Sequence, residues 1–88
     1  MSAFRENTIT IRGQQFVVRE LDGATLAASR RIIAEDKARL EAFVAWKACV
    51  DPKFESEAAV LKLPQIFADK ISEEAFRLTK LDDSEKNA

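Results

Sequence analysis

Thr8-Ile9-Thr10-Ile11-Arg12-Gly13-Gln14-Gln15-Phe16-Val17-Val18-Arg19-Glu20-Leu21 is the stretch that decides the fold of this chain. Thr8 to Ile11 alternates with period two, and Gln15 to Arg19 is rich in β-branched and aromatic side chains. Two strands are expected. Gly13-Gln14 suits a two-residue turn between them, because glycine takes the positive φ needed at the first central position. Ile9 and Ile11 then share one face of the first strand, and Phe16 and Val18 share one face of the second. A two-stranded hairpin is marginal in water, so this one has to lie on a helix or join a larger sheet.

Beyond the hairpin, Asp22 is a natural N-cap, its carboxylate available to the free N–H groups of a first helical turn. Ala24 to Val50 contains neither Gly nor Pro. One helix of roughly 40 Å is therefore predicted, at 1.5 Å per residue, with a bend near Ala34 to Lys37 given its length. Arg31 with Glu35, Glu35 with Arg39 and Lys37 with Glu41 stand at i,i+4 and support its outer side. Pro52 disfavours helix at Asp51 and ends the segment.

Ser56 can cap a short turn from Glu57 to Lys62, and Pro64 suits the first position of a second, shorter helix. On that helix Phe67, Ile71, Ala75 and Leu78 form one apolar stripe. Leu81 to Ala88 is polar and is expected to fray. The fold class is α+β and mostly helical: an N-terminal β-hairpin, a long helix and a shorter C-terminal helix. Residues 1–80 form one small domain, and 81–88 a polar C-terminal tail.

The chain has 88 residues, a formal net charge of −1, no histidine, no tyrosine and one cysteine. It is poorly equipped for acid–base, nucleophilic or metal chemistry, so no catalytic residue, cofactor or metal site is expected. The near-zero charge gives no general attraction to nucleic acid or anionic lipid. Basic Arg30, Arg31, Lys37 and Arg39 are interleaved with Glu35, Asp36 and Glu41, as on a solvated helix face. No run of about 18 apolar residues offers a membrane span, and Met1 to Asn7 lacks the apolar core of a signal peptide. A single cysteine fits a reducing, cytoplasmic setting.

The apolar residues point to binding instead. Turned at 100° per residue, Leu26, Ile32, Ile33, Leu40, Phe43, Val44 and Val50 form a broad stripe for the chain's own core. Ala27, Ala34, Ala38, Ala42, Ala45 and Cys49 gather on the opposite side, a strip of small side chains that lets another helix come close. Trp46 lies at the border between the two sides, where amphipathic rings often anchor interfaces. Phe76 projects about 180° from Phe67, off the stripe of the last helix. Ala42, Ala45, Trp46, Cys49 and Phe76 are thus the candidate partner-binding residues. Cys49, with no histidine to activate it, reads as an inert small hydrophobe.

The order of parts also carries a resemblance. The segment FVVRELDGATLAASRR, Phe16 to Arg31, is similar to the opening of phage tail assembly chaperones of long-tailed bacteriophages, a V-R-E-L segment followed by a small residue and a helix. Val50-Asp51-Pro52-Lys53-Phe54 and Leu63-Pro64 resemble that family's mid-chain break and second helical segment, so the resemblance runs from Thr8 to Lys80. It implies a non-enzymatic chaperone that holds a helical tape measure protein soluble while tail tube protein is recruited. It also implies self-association, a place in the host cytoplasm and absence from the mature virion. The chain matches the short form of the family; Glu85-Lys86-Asn87 can be encoded by GAA-AAA-AAC, a run on which a frameshift to a longer form could occur. The alternative is a small cytoplasmic adaptor or inhibitor that binds one folded partner.

Overall fold

The computed structural model of the chain describes residues 4–32 and 35–87, with side chains as far as Lys80. The hairpin forms as β1 (Glu6–Ile11) and β2 (Gln14–Arg19), antiparallel, with Ile9 opposite Phe16 and Asn7 opposite Val18. Ile11, Phe16 and Val18 are buried, so the face assigned to the core is the one that reaches it.

The turn is one residue earlier than expected. Arg12 (φ 50°) and Gly13 (φ 84°) are its central pair, a two-residue turn with positive φ at both positions. A turn at Gly13-Gln14 would shift the register by two residues and keep the same faces, so the apolar pattern alone does not choose. The observed register sets Glu6 opposite Arg19, and their side chains form a 2.6 Å ion pair. A non-glycine residue in the left-handed region is uncommon, and Arg12 occupies it so that this pairing can run the length of both strands.

The long helix expected from Ala24 to Val50 is two helices and a strand. Asp22 caps α1 (Gly23–Ser29), its Oδ1 accepting from the Thr25 N–H at 2.7 Å. Ser29 ends that helix, its buried hydroxyl donating to the Leu26 carbonyl at 2.7 Å. Asp36 then caps α2 (Lys37–Ala48), accepting from the Arg39 N–H at 3.2 Å. The interruption falls in the neighbourhood of the expected bend; Ile33 and Ala34 lie outside the described residues. Physically, a straight helix would carry Leu26 away from the core, whereas two shorter ones let it pack against that core. Arg31 and Glu35 therefore do not share a helix, unlike Lys37 and Glu41.

Helix α2 stops at Ala48, and Cys49–Asp51 becomes β3, antiparallel to β2 with an irregular step at Val17/Val18. The sheet order is β1-β2-β3. The hairpin thus gains both of the supports it needs, a third strand and, against β1 and β2, the C-terminal helix α4 (Gln65–Asn87).

Ser56 caps α3 (Glu57–Leu61), accepting from the Ala59 N–H at 3.2 Å. Pro64 stands immediately before α4 (Gln65–Asn87), within the usual one-residue latitude of a helix boundary. Phe67, Ile71, Ala75 and Leu78 are all buried, so the stripe faces inward as expected. The C-terminal helix, expected to be the shorter one, is the longest among the described residues, because the helix before it stops at Ala48; its backbone runs to Asn87, and the side chains of 81–88 are outside the described set.

Candidate partner-binding surface

The strip of small residues is where the structure departs most from the sequence reading. Ala42 and Ala45 are 0% exposed and Cys49 is 3% exposed. Helix α2, which carries Ala42 and Ala45 and ends just before Cys49, packs chiefly against α4, which brings Ala68 and Ala75 into the same core. Small side chains on both helices allow a close approach, and the approaching helix belongs to the same chain. Ala42, Ala45 and Cys49 therefore offer no open surface to a partner. Ala27 and Ala38, earlier members of the strip, are exposed and lie on different helices; Ala34 lies outside the described residues.

Cys49 is held in that core. Its Sγ lies 3.1 Å from the Pro52 carbonyl, and burial pushes the thiol up to about 11. A thiol in that state is neither a nucleophile nor a ready metal ligand at neutral pH. Among the described residues no group of three or more His, Cys, Asp or Glu gathers to hold a metal ion.

Trp46 and Phe76 fare differently. Both are half-buried, packed on the core from outside, and each lines an open groove on one flank of α1. On one flank Phe43 and Trp46 meet edge to face, with ring centroids 6.1 Å apart. Together with Ala24 and Ala28 they line a groove of about 420 Å³. Lys47 places its ammonium 4.0 Å from the Trp46 ring centroid, a cation–π contact that holds the indole's orientation.

On the other flank, Leu26, Ile32, Leu40 and Phe76 line a groove of about 430 Å³ edged by Arg30 and Lys80. Helical spacing sets Phe76 off the stripe of the last helix and places Leu26, Ile32 and Leu40 in the core stripe; Leu26 and Leu40 do pack on the core from outside, and with Ile32 they also wall this groove. The interruption of the helix after Ser29 is what turns them into groove walls. The signal that could have found them is Asp36, a capping residue in the middle of a presumed helix.

A polar cluster joins α2 to α4 away from these grooves' linings. Gln65 Nε2 donates to Glu41 Oε1 at 2.6 Å. Glu41 is held above the usual carboxylate range, first by desolvation and then by the neighbouring Asp69, against the opposing pull of Gln65. A carboxyl raised on folding binds protons more tightly in the native state. Its stabilising contribution is therefore full below the unfolded pKa, near 4.5, and is lost as pH rises through the folded value. Glu41→Gln keeps the acceptor for Gln65 and offers Asp69 a permanent donor. It should raise the melting temperature at pH 7 and leave it nearly unchanged at pH 4, which thermal melts at the two pH values will check.

Glu74 runs the other way. Arg77 chiefly, with Asn7, holds its carboxyl below the usual range, and the Asn7 amide donates to it at 2.9 Å across the gap between β1 and α4. That tie is present above the unfolded carboxylate pKa and is lost as pH falls through the depressed one.

No family model, curated protein or solved structure matches the chain. Among the described residues, no helix is long and apolar enough to cross a membrane.

Proposed function

We propose that this chain is a non-enzymatic chaperone of phage tail assembly that covers apolar helix surface of the tape measure protein, working in the host cytoplasm. The observation that carries the reading is the pair of apolar grooves flanking α1, one walled by Phe43 and Trp46, the other by Leu26, Leu40 and Phe76. Apolar grooves between helices are how globular domains take an amphipathic helix, whose side chains at i, i+3, i+4 and i+7 enter as anchors. Arg30 and Lys80 at the edge of the second groove suit a client helix that carries acids beside its apolar stripe. The resemblance of the segments Phe16 to Arg31 and Val50 to Leu63-Pro64 to tail assembly chaperones supplies the client class. Recruitment of tail tube protein belongs to the same proposal.

Co-expression with the tape measure protein of the same genome is the test. The client should stay soluble with the unmodified chain, and its soluble share should fall several-fold with Phe76→Ser while the variant keeps its far-UV circular dichroism. A client equally soluble alone would remove the chaperone role. Tight one-to-one binding to a folded protein in place of the tape measure protein would establish the adaptor reading instead.

A further inference from the structure

The sheet order leaves β1 at an edge, with no strand on its outer side among the described residues. Glu20 donates its backbone N–H to the Arg5 carbonyl at 2.9 Å. In an antiparallel ladder, opposed residues alternate between bonded and unbonded pairs. With the register in step from Glu6 opposite Arg19 to Ile11 opposite Gln14, Asn7, Ile9 and Ile11 turn their backbone groups toward β2. Glu6, Thr8 and Thr10 turn theirs to the open edge.

Beyond Glu6, that edge lacks the usual safeguards. Asn7 to Ile11 carries no charge and no proline, and four of its five residues, Thr8, Ile9, Thr10 and Ile11, are β-branched with strong strand preference. Beneath it lies an open groove of about 380 Å³, lined by Ile9, Ile11 and Ile66 with Lys70 and Glu73 beside them.

We propose that a second copy of this chain closes the edge, the two β1 strands pairing antiparallel about a two-fold axis at Ile9. Only registers that set outward-facing residues opposite one another can form hydrogen bonds. Centred on Thr8, such a pairing would put Glu6 against Thr10 and leave Arg12 beyond the strand without a counter-charge. Centred on Ile9, it puts Thr8 against Thr10 and Asn7 against Ile11. It also brings Glu6 of each copy, which already pairs with Arg19 of its own chain, within reach of the other copy's Arg12 as a second cation, twice by symmetry.

Charge complementarity therefore selects the Ile9 register. Opposed threonines and opposite charges are favourable cross-strand pairs. The axis stands perpendicular to the sheet, so three strands from each copy make one six-stranded sheet with both α4 helices on the same face. The two grooves then merge, and the isoleucines of each copy cover those of the other. The Lys70 and Glu73 of the rim give each copy both signs to match. A closed two-fold pair leaves no free β1 edge to recruit further strands.

Sedimentation velocity of the full chain is the first measurement, and a species of twice the chain mass is expected at micromolar concentration. Thr8→Pro removes an outward N–H without touching the β1–β2 ladder and should give a monomer with unchanged circular dichroism. A monomeric unmodified protein overturns the proposal, as does a folded Thr8→Pro variant that remains a dimer. Should Thr8→Pro not fold, a charge-mixing experiment decides. Glu6→Lys and Arg12→Glu should each weaken self-association by about tenfold through like charges at both ends of the joint. Mixed in equal amounts, they should form a heterodimer, because each then supplies the sign the other lacks. A mixture no more associated than its components overturns the pairing. None of these outcomes depends on client binding, which uses the grooves on the flanks of α1.

Discussion

Ala45→Glu should unfold the chain. Ala45 is 0% exposed on α2, in the core that α2 shares with α4. A glutamate there has nowhere to place its carboxylate except inside the helix seam or by prising the helices apart. The desolvation of a buried, unpaired charge costs several kcal/mol after relaxation, set against a total stability of about 5–15 kcal/mol for a small domain. Circular dichroism at 25 °C and pH 7 should show most of the helix signal gone. Ala38→Glu is the control, since Ala38 lies on the same helix but is exposed. It should change stability by no more than about 0.5 kcal/mol. An Ala45→Glu variant that melts within a few degrees of the unmodified chain would show that the α2–α4 seam is not closed as described.

Were Ala45 a partner-binding residue, as the strip of small side chains suggests, the same substitution would leave a helical monomer and weaken only its assembly. A strip of alanines says that another helix comes close; it does not say whose. The chain's own α4 reaches the strip because α2 is short and turns back beside it, and that depends on the interruption between Ser29 and Lys37. The segment carries no Gly or Pro to announce a break. Its one local sign is Asp36, which is as much at home in a charged helix face as at a cap. Strand β3 was equally hard to read, since three residues at the end of an apolar helix carry too short a pattern to show period two.

Where one residue type has one local job, sequence and structure agree. Asp22 and Ser56 cap the helices they were expected to cap. The stripe from Phe67 to Leu78 is buried, because four positions at helical spacing specify a face whatever lies opposite. The hairpin faces were legible for the same reason, whereas the turn was not, since registers two residues apart bury the same side chains. Of the candidate site, Trp46 and Phe76 do line open grooves. Their neighbours Leu26, Ile32 and Leu40 become visible only once the helix is broken, which is a tertiary event with little local signature.

Phe16→Ala should be the most damaging single truncation in the sheet. Phe16 is 1% exposed at the centre of the inner face, opposite Ile9. Its ring meets Phe54 in a stacked arrangement at 6.4 Å and Phe67 edge to face at 5.7 Å. One side chain thus joins β2, the loop before α3 and the first turn of α4. Removing a buried phenylalanine costs about 3–5 kcal/mol from lost transfer energy and the cavity left behind. At about 4–8 °C per kcal/mol for a domain of this size, the melting temperature should fall by about 15 °C or more. Phe54→Ala tests the geometry independently, because Phe54 is only half-buried and packs from outside. Its loss should be clearly smaller. Comparable losses at the two positions would mean that Phe54, and with it the loop that follows β3, is as much a part of the core as the strand beneath it.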